Sequence, residues 1–161
     1  MKNNKGFTFV ELIVVVVIVA IVAGTATYGF NSYFSSARVR ATESIINVID
    51  YARAIAQTSN YKASIDIYYT DKYCYARVYT TDLDGNKIDK DYFEICKSQY
   101  TIYYTPDGSS DYVSLKDGLI TLTLGKSGFM SSNYVSSFIT DYDKDSEIFL
   151  VKEIGRAYKN N

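Results

Sequence analysis

The chain has 161 residues and a net charge of −1, with 47% hydrophobic and 22% charged residues, which excludes a disordered or strongly basic protein. It contains no histidine, so Ser-His-Asp and Cys-His catalysis and histidine-ligated metals are excluded too. No Walker loop or strand-linked Gly-x-Gly-x-x-Gly occurs and no carboxylate pair stands out, so the residues point away from an enzyme.

The first element is "KGFTFVELIVVVVIVAIVAG", Lys5–Gly24, and Glu11 is the only charged residue between Phe7 and Phe30. A helix over that run would be roughly 36 Å long, enough to cross a ~30 Å hydrocarbon core. Three readings compete: a secretory signal peptide, a membrane anchor and a buried core helix. Lys2, Lys5 and the small residues of "AIVAGTA" fit a signal peptide, whereas Glu11 at the start of the apolar region does not. A core helix would not be this long and apolar on all sides. Charge leaves the orientation open, since Lys2 and Lys5 precede the run and Arg38 and Arg40 follow it. A carboxylate at membrane depth costs roughly 2.5–3.5 kcal/mol on insertion scales, so Glu11 needs a partner or a task.

In the next stretch, apolar residues fall at Phe34, Ala37, Ala41, Ile45, Val48, Ala52 and Ile55, a one-sided helical stripe. Arg38, Arg40, Glu43, Asp50 and Arg53 take the wetter faces, and the helix is expected to end near Ser59-Asn60. Beyond Tyr61 the period becomes two. "KASIDIYYTD", "YCYARVYTT", "DYFEICKS", "YTIYYTP", "GLITLTLG" and "SEIFLVKEI" read as strands, separated by turn signals at Asp84-Gly85-Asn86, Pro106-Asp107-Gly108 and Asp141-Tyr142-Asp143. On the second strand Tyr73, Tyr75, Arg77 and Tyr79 share one face; Cys74, Ala76 and Val78 share the other, suited to a helix. The expected class is α+β: a long N-terminal helix, half transmembrane and half amphipathic, packed on an antiparallel β-sheet domain.

A hairpin centred on Gly85 places Cys74 opposite Cys96, with Asp89-Lys90-Asp91 able to hold a bulge. Either a cross-strand disulfide or two buried thiols satisfies this pattern. In "DYDKDSE", Asp141, Asp143, Asp145 and Glu147 alternate as calcium-loop oxygens do, but Ser146 and Lys152 replace the glycine and bidentate acid of an EF-hand. A calcium loop and a solvated acidic turn are both open; "DLDGNKID" poses the same choice against a hairpin turn. Lys152, Arg156 and Lys159 make the tail mildly basic, either a DNA contact aided by stacking tyrosines or a solvated terminus.

"KGFTFVEL" followed by its aliphatic run resembles the class III signal of type IV pilins and type II secretion pseudopilins. The resemblance implies a leader over 1–6, prepilin peptidase cleavage between Gly6 and Phe7, and N-methylation of Phe7. It also implies a filament-core helix over 7–30, its amphipathic continuation over 31–60 and a β-rich domain over 61–161. Glu11 matches the glutamate at the fifth mature position, which in that family pairs with the terminal amine of a neighbouring subunit. Implied partners are other pilin subunits, the peptidase, the inner-membrane assembly platform and the cytoplasmic membrane. The implied location is that membrane with the C-terminal domain outside, then a cell-surface pilus or pseudopilus. No cofactor is implied, although some major pseudopilins bind calcium near the carboxy terminus. The proline that many members carry near the membrane exit is missing, leaving Gly24 and Gly29 as weak points in the helix.

"DYARAIAQTSNYKASIDIYY", "ITLTLGKSG" and "GRAYK" resemble segments of H-type minor pseudopilins and FimT-like minor pilins, the last as a terminal Gly-Arg strand. This implies a minor subunit. The alternative is a filament-displayed binding module, a tip adhesin or DNA-uptake receptor.

Overall fold

The structure, a computed structural model, describes residues 9–116, 118–129 and 134–159, with 26–32 as backbone only. One helix, α1 (Phe9–Thr58), is followed by strands, and contacts divide the chain into two units, Met1–Ser36 and Ala37–Asn161. In the first unit, Thr25 returns its hydroxyl to the carbonyls of Ile21 and Val22, satisfying it inside the helix. Among the described residues no helix is long and apolar enough to cross a membrane. The described side chains of the apolar run end at Thr25, short of the Phe7–Phe30 stretch expected to span.

In the second unit the helix buries Ala41, Ile45, Val48, Ile49, Ala52 and Ala56 almost completely. The expected stripe held at Ala41, Ile45, Val48 and Ala52. It drifted at its end, where Ala56 is buried and Ile55 is only half-buried, because the face turns with 3.6 residues per turn. Thr42, also buried, donates to the Val39 carbonyl. Thr58 donates to Ala54 and the Ser59 N–H to Ile55, closing the helix close to the expected Ser59-Asn60.

The strands are β1 (Lys62–Tyr69), β2 (Tyr73–Thr81), β3 (Lys87–Lys97), β4 (Ile102–Pro106), β5 (Val113–Ser114), β6 (Leu119–Gly125), β7 (Gly128–Phe129), β8 (Val135–Thr140), β9 (Ile148–Val151) and β10 (Arg156–Lys159). Among the described residues they form two five-stranded antiparallel sheets, ordered β3-β2-β1-β6-β7 and β10-β9-β8-β4-β5. The sequence pattern did not reveal β8, whose "VSSFIT" lacks apolar alternation, and β9 is confined to the apolar run "IFLV" within the expected "SEIFLVKEI".

The first sheet turns Ala63, Ile65, Ile67, Cys74, Ala76 and Val78 into the same core as the helix. Each large side chain buried there contributes roughly 1.5–3 kcal/mol. The small residues of β2 therefore face the helix, as their alternation indicated. On the opposite face the central strand buries Asp66, which accepts from the Thr121 hydroxyl at 2.7 Å and the Tyr79 hydroxyl at 3.3 Å. A buried carboxylate without such donors would be costly.

The two sheets meet backbone to backbone at Gly128 and Gly155. Gly128 has φ +144°, and a Cβ there would lie 2.3 Å from the Lys152 carbonyl oxygen. Gly155 has φ +59°, and its Cβ would lie 3.1 Å from the Gly128 Cα. Beside them the Phe129 N–H donates to Lys152 at 2.9 Å. Only residues without side chains permit this approach.

Candidate functional site

Gly6 and Phe7, the expected cleavage and methylation residues, lie outside the described residues. Glu11 stands exposed in the first turn of α1, where the positive end of the helix dipole favours a carboxylate. Every large apolar side chain from Phe9 to Val22 is exposed, from 46% at Ile13 to 75% at Phe9. A helix apolar on every side has no water-compatible face, so it is built to be covered by lipid or by other helices.

Cys74 and Cys96 pair directly across β2 and β3. The route differs from the simple hairpin. Thr81 pairs with Lys87, a register that points to Asp84, and two bulges each add one residue on β3 to bring Cys96 opposite Cys74. One bulge sits at Lys90, in the triplet expected to hold it, and the other at Ile95. Both cysteines are buried free thiols. The Cys74 thiol opposite holds Cys96 below the ordinary thiol range, while the neighbouring Cys96 together with burial pushes Cys74 up.

Sequence reasoning missed the third member of this row, Tyr69, which pairs with Cys74 from β1. The short turn between β1 and β2 carried the register that would have located it. Its hydroxyl donates to the Tyr100 carbonyl at 2.9 Å and accepts from the Ile102 N–H at 2.8 Å, tying the row to the chain that enters the second sheet. Burial, the largest cause, pushes its ionisation well above the ordinary tyrosine range.

The acidic turn disperses its carboxylates. Asp141 and Tyr142 both take left-handed conformations, φ 51° and 57°, in a tight turn closed by the Asp143 N–H donating to Thr140. Asp141 accepts from the Thr101 N–H at 2.8 Å. Asp143 caps the 3₁₀ turn Lys144–Ser146 and forms an ion pair with Arg38 at 3.1 Å. Glu147 accepts from the Tyr112 hydroxyl, while Asp145 is exposed. Among the described residues no three His, Cys, Asp or Glu side chains are gathered where they could hold a metal ion. In the other acidic turn Asp82 accepts from the backbone of Asp84 and Asn86, the hairpin arrangement.

The tail cations also diverge. Lys152 pairs with Asp107 at 3.6 Å and lies over the Tyr134 ring. Arg156 lines a groove of about 390 Å³ with Asp50, Arg53, Gln57 and Tyr158. Lys159, three positions along β10 from Arg156, falls on the other side of the strand.

A denser set of contacts covers the outer face of the first sheet. Arg77 binds Asp89 at 2.6 Å, Tyr92 donates to Asp89 at 3.0 Å, and the Lys87 ammonium sits 4.4 Å from the centre of the Tyr79 ring. The Arg77 hydrogen bond holds Asp89 below the usual carboxylate range. Tyr68, Tyr73 and Tyr75 extend this face as a half-buried aromatic cluster.

Neither a curated protein nor a solved structure matches the chain. The family model for the prokaryotic N-terminal methylation motif matches residues 1–27. That match covers the amino-terminal segment alone, the stretch in which the leader and the start of the filament-core helix were expected.

Proposed function

We propose that the chain is a structural subunit of a type IV pilus or type II secretion pseudopilus, a minor one of the H type. Prepilin peptidase cuts between Gly6 and Phe7 and Phe7 is N-methylated. The subunit waits in the cytoplasmic membrane with its β domain outside, then moves into a helical fibre through the assembly platform. No catalytic step is assigned to it.

One observation carries this reading: the exposed apolar side chains of Phe9–Val22 lie within a methylation motif. Lipid covers them before assembly and neighbouring helices cover them afterwards. Glu11 then pairs with the Phe7 amine of an adjacent subunit, where mutual neutralisation in low dielectric favours docking in one axial register.

The test is the amino-terminal mass of the protein taken from its own cell. N-methylated Phe7 is the expected terminus; an intact Met1 or a cut near Ala23 overturns the reading. The tyrosine cluster of the first sheet favours a second reading, a binding module displayed by the filament. A DNA shift assay at two salt concentrations separates a DNA receptor from a purely structural subunit.

A further inference from the structure

We propose that Cys74 and Cys96 form a site of oxidative cross-linking in which Cys96 reacts first with a small-molecule disulfide and Cys74 resolves it. Three observations on the strands support this order. The residues are directly opposed in an antiparallel pair, whose Cα spacing of about 4.5–5.5 Å lies inside the range a disulfide needs. Cys96 is on β3, the edge strand of its sheet, at a bulge, and retains 8% exposure. Cys74 is on the interior strand at 0% exposure, between Cys96 and Tyr69. Of the two thiols, Cys96 is therefore the one that an oxidant approaching from the sheet edge meets first.

The Cys96 thiolate attacks one sulfur of the small disulfide, forms a mixed disulfide and expels a thiolate. Cys74 gives up its proton and attacks the Cys96 sulfur, expelling the second thiolate, which takes that proton. Two protein thiols are oxidised to one cystine and one small disulfide is reduced to two thiols. The cross-link ties the edge strand to β2 and closes the chain between them. The inference rests on the filament reading in one respect, that the β domain lies outside the cytoplasmic membrane, where such bonds persist.

The test uses the full chain in detergent micelles treated with oxidised glutathione, so it does not depend on export. The untreated protein is first labelled with limiting iodoacetamide and mapped. Cys96 is expected to react at least about 10-fold faster than Cys74. Glutathione disulfide should then give a protein lighter by two hydrogens with neither thiol alkylatable, melting about 5–10 °C higher than the reduced form. Cys74→Ala should stop at one glutathione on Cys96. Equal labelling of the two thiols overturns the order of attack. Two thiols still alkylatable after treatment overturn the site. Neither result bears on the amino-terminal mass, which tests the filament reading alone.

Discussion

Replacing Gly128 with alanine tests whether the two sheets are joined by backbone contact. The new methyl carbon would start 2.3 Å from the Lys152 carbonyl oxygen and 2.8 Å from the carbonyl carbon and oxygen of Glu153. These are backbone atoms with no rotamer in which to escape, so the turn after β9 must retreat by roughly 1 Å to reach ordinary contact. Two costs follow. Holding a non-glycine residue at φ +144° costs of order 1–3 kcal/mol. Moving Lys152 breaks the 2.9 Å hydrogen bond from the Phe129 N–H, and a buried donor left without a partner costs about 1–3 kcal/mol. The sum, about 2–6 kcal/mol, is a large share of the 5–15 kcal/mol that holds an ordinary domain folded. Urea unfolding of the full chain in detergent, followed by tyrosine fluorescence, reads it as a shift in midpoint.

Gly155→Ala is milder, because its Cβ meets the Gly128 Cα at 3.1 Å and the flexible end of Leu124 at 3.3 Å. Gly118→Ala is the control, with nothing within 4 Å, and should fall within about 0.5 kcal/mol of wild type. The order 128, 155, 118 is the prediction. A Gly128→Ala protein as stable as the Gly118→Ala control would refute the contact.

Asp143→Ala removes the cap of the 3₁₀ turn and the carboxylate facing Arg38; with both side chains largely covered, thermal unfolding should show a loss of about 1–2 kcal/mol. Acid should weaken the β2–β3 hairpin. Asp82 and Asp89 are held below the usual carboxylate range, so their contribution is complete above the unfolded carboxylate pKa near ~4 and is lost as pH falls through their lower folded values. Asp89→Asn should flatten that part of a stability–pH curve, and an unchanged curve would assign the acid sensitivity elsewhere. Glu11→Leu should leave leader cleavage intact and abolish entry into filaments, read by immunoblots of processed and sheared fractions; normal incorporation would remove the proposed pairing.

The sequence by itself determined whatever depends on residues within a turn or two of each other. The helix stop near Thr58, the apolar segment around Glu11 and the division of β2 into a small inner face and a tyrosine outer face all follow from local periodicity. The meeting of Cys74 with Cys96 was read from a turn centred on Gly85, whereas a turn centred on Asp84 and two bulges produce it. Tertiary structure decided the rest. It split the strands into two sheets, admitted β8 despite its serines, and brought Gly128 of β7 against Gly155 in the turn between β9 and β10. It also sent Asp141, Asp143 and Glu147 of the acidic turn to three different distant partners and left Asp145 in solvent, a fate that alternating spacing does not encode. The reason is physical: a periodic pattern records which face of an element is buried, whereas the identity of what covers that face is set by contacts far apart in the chain.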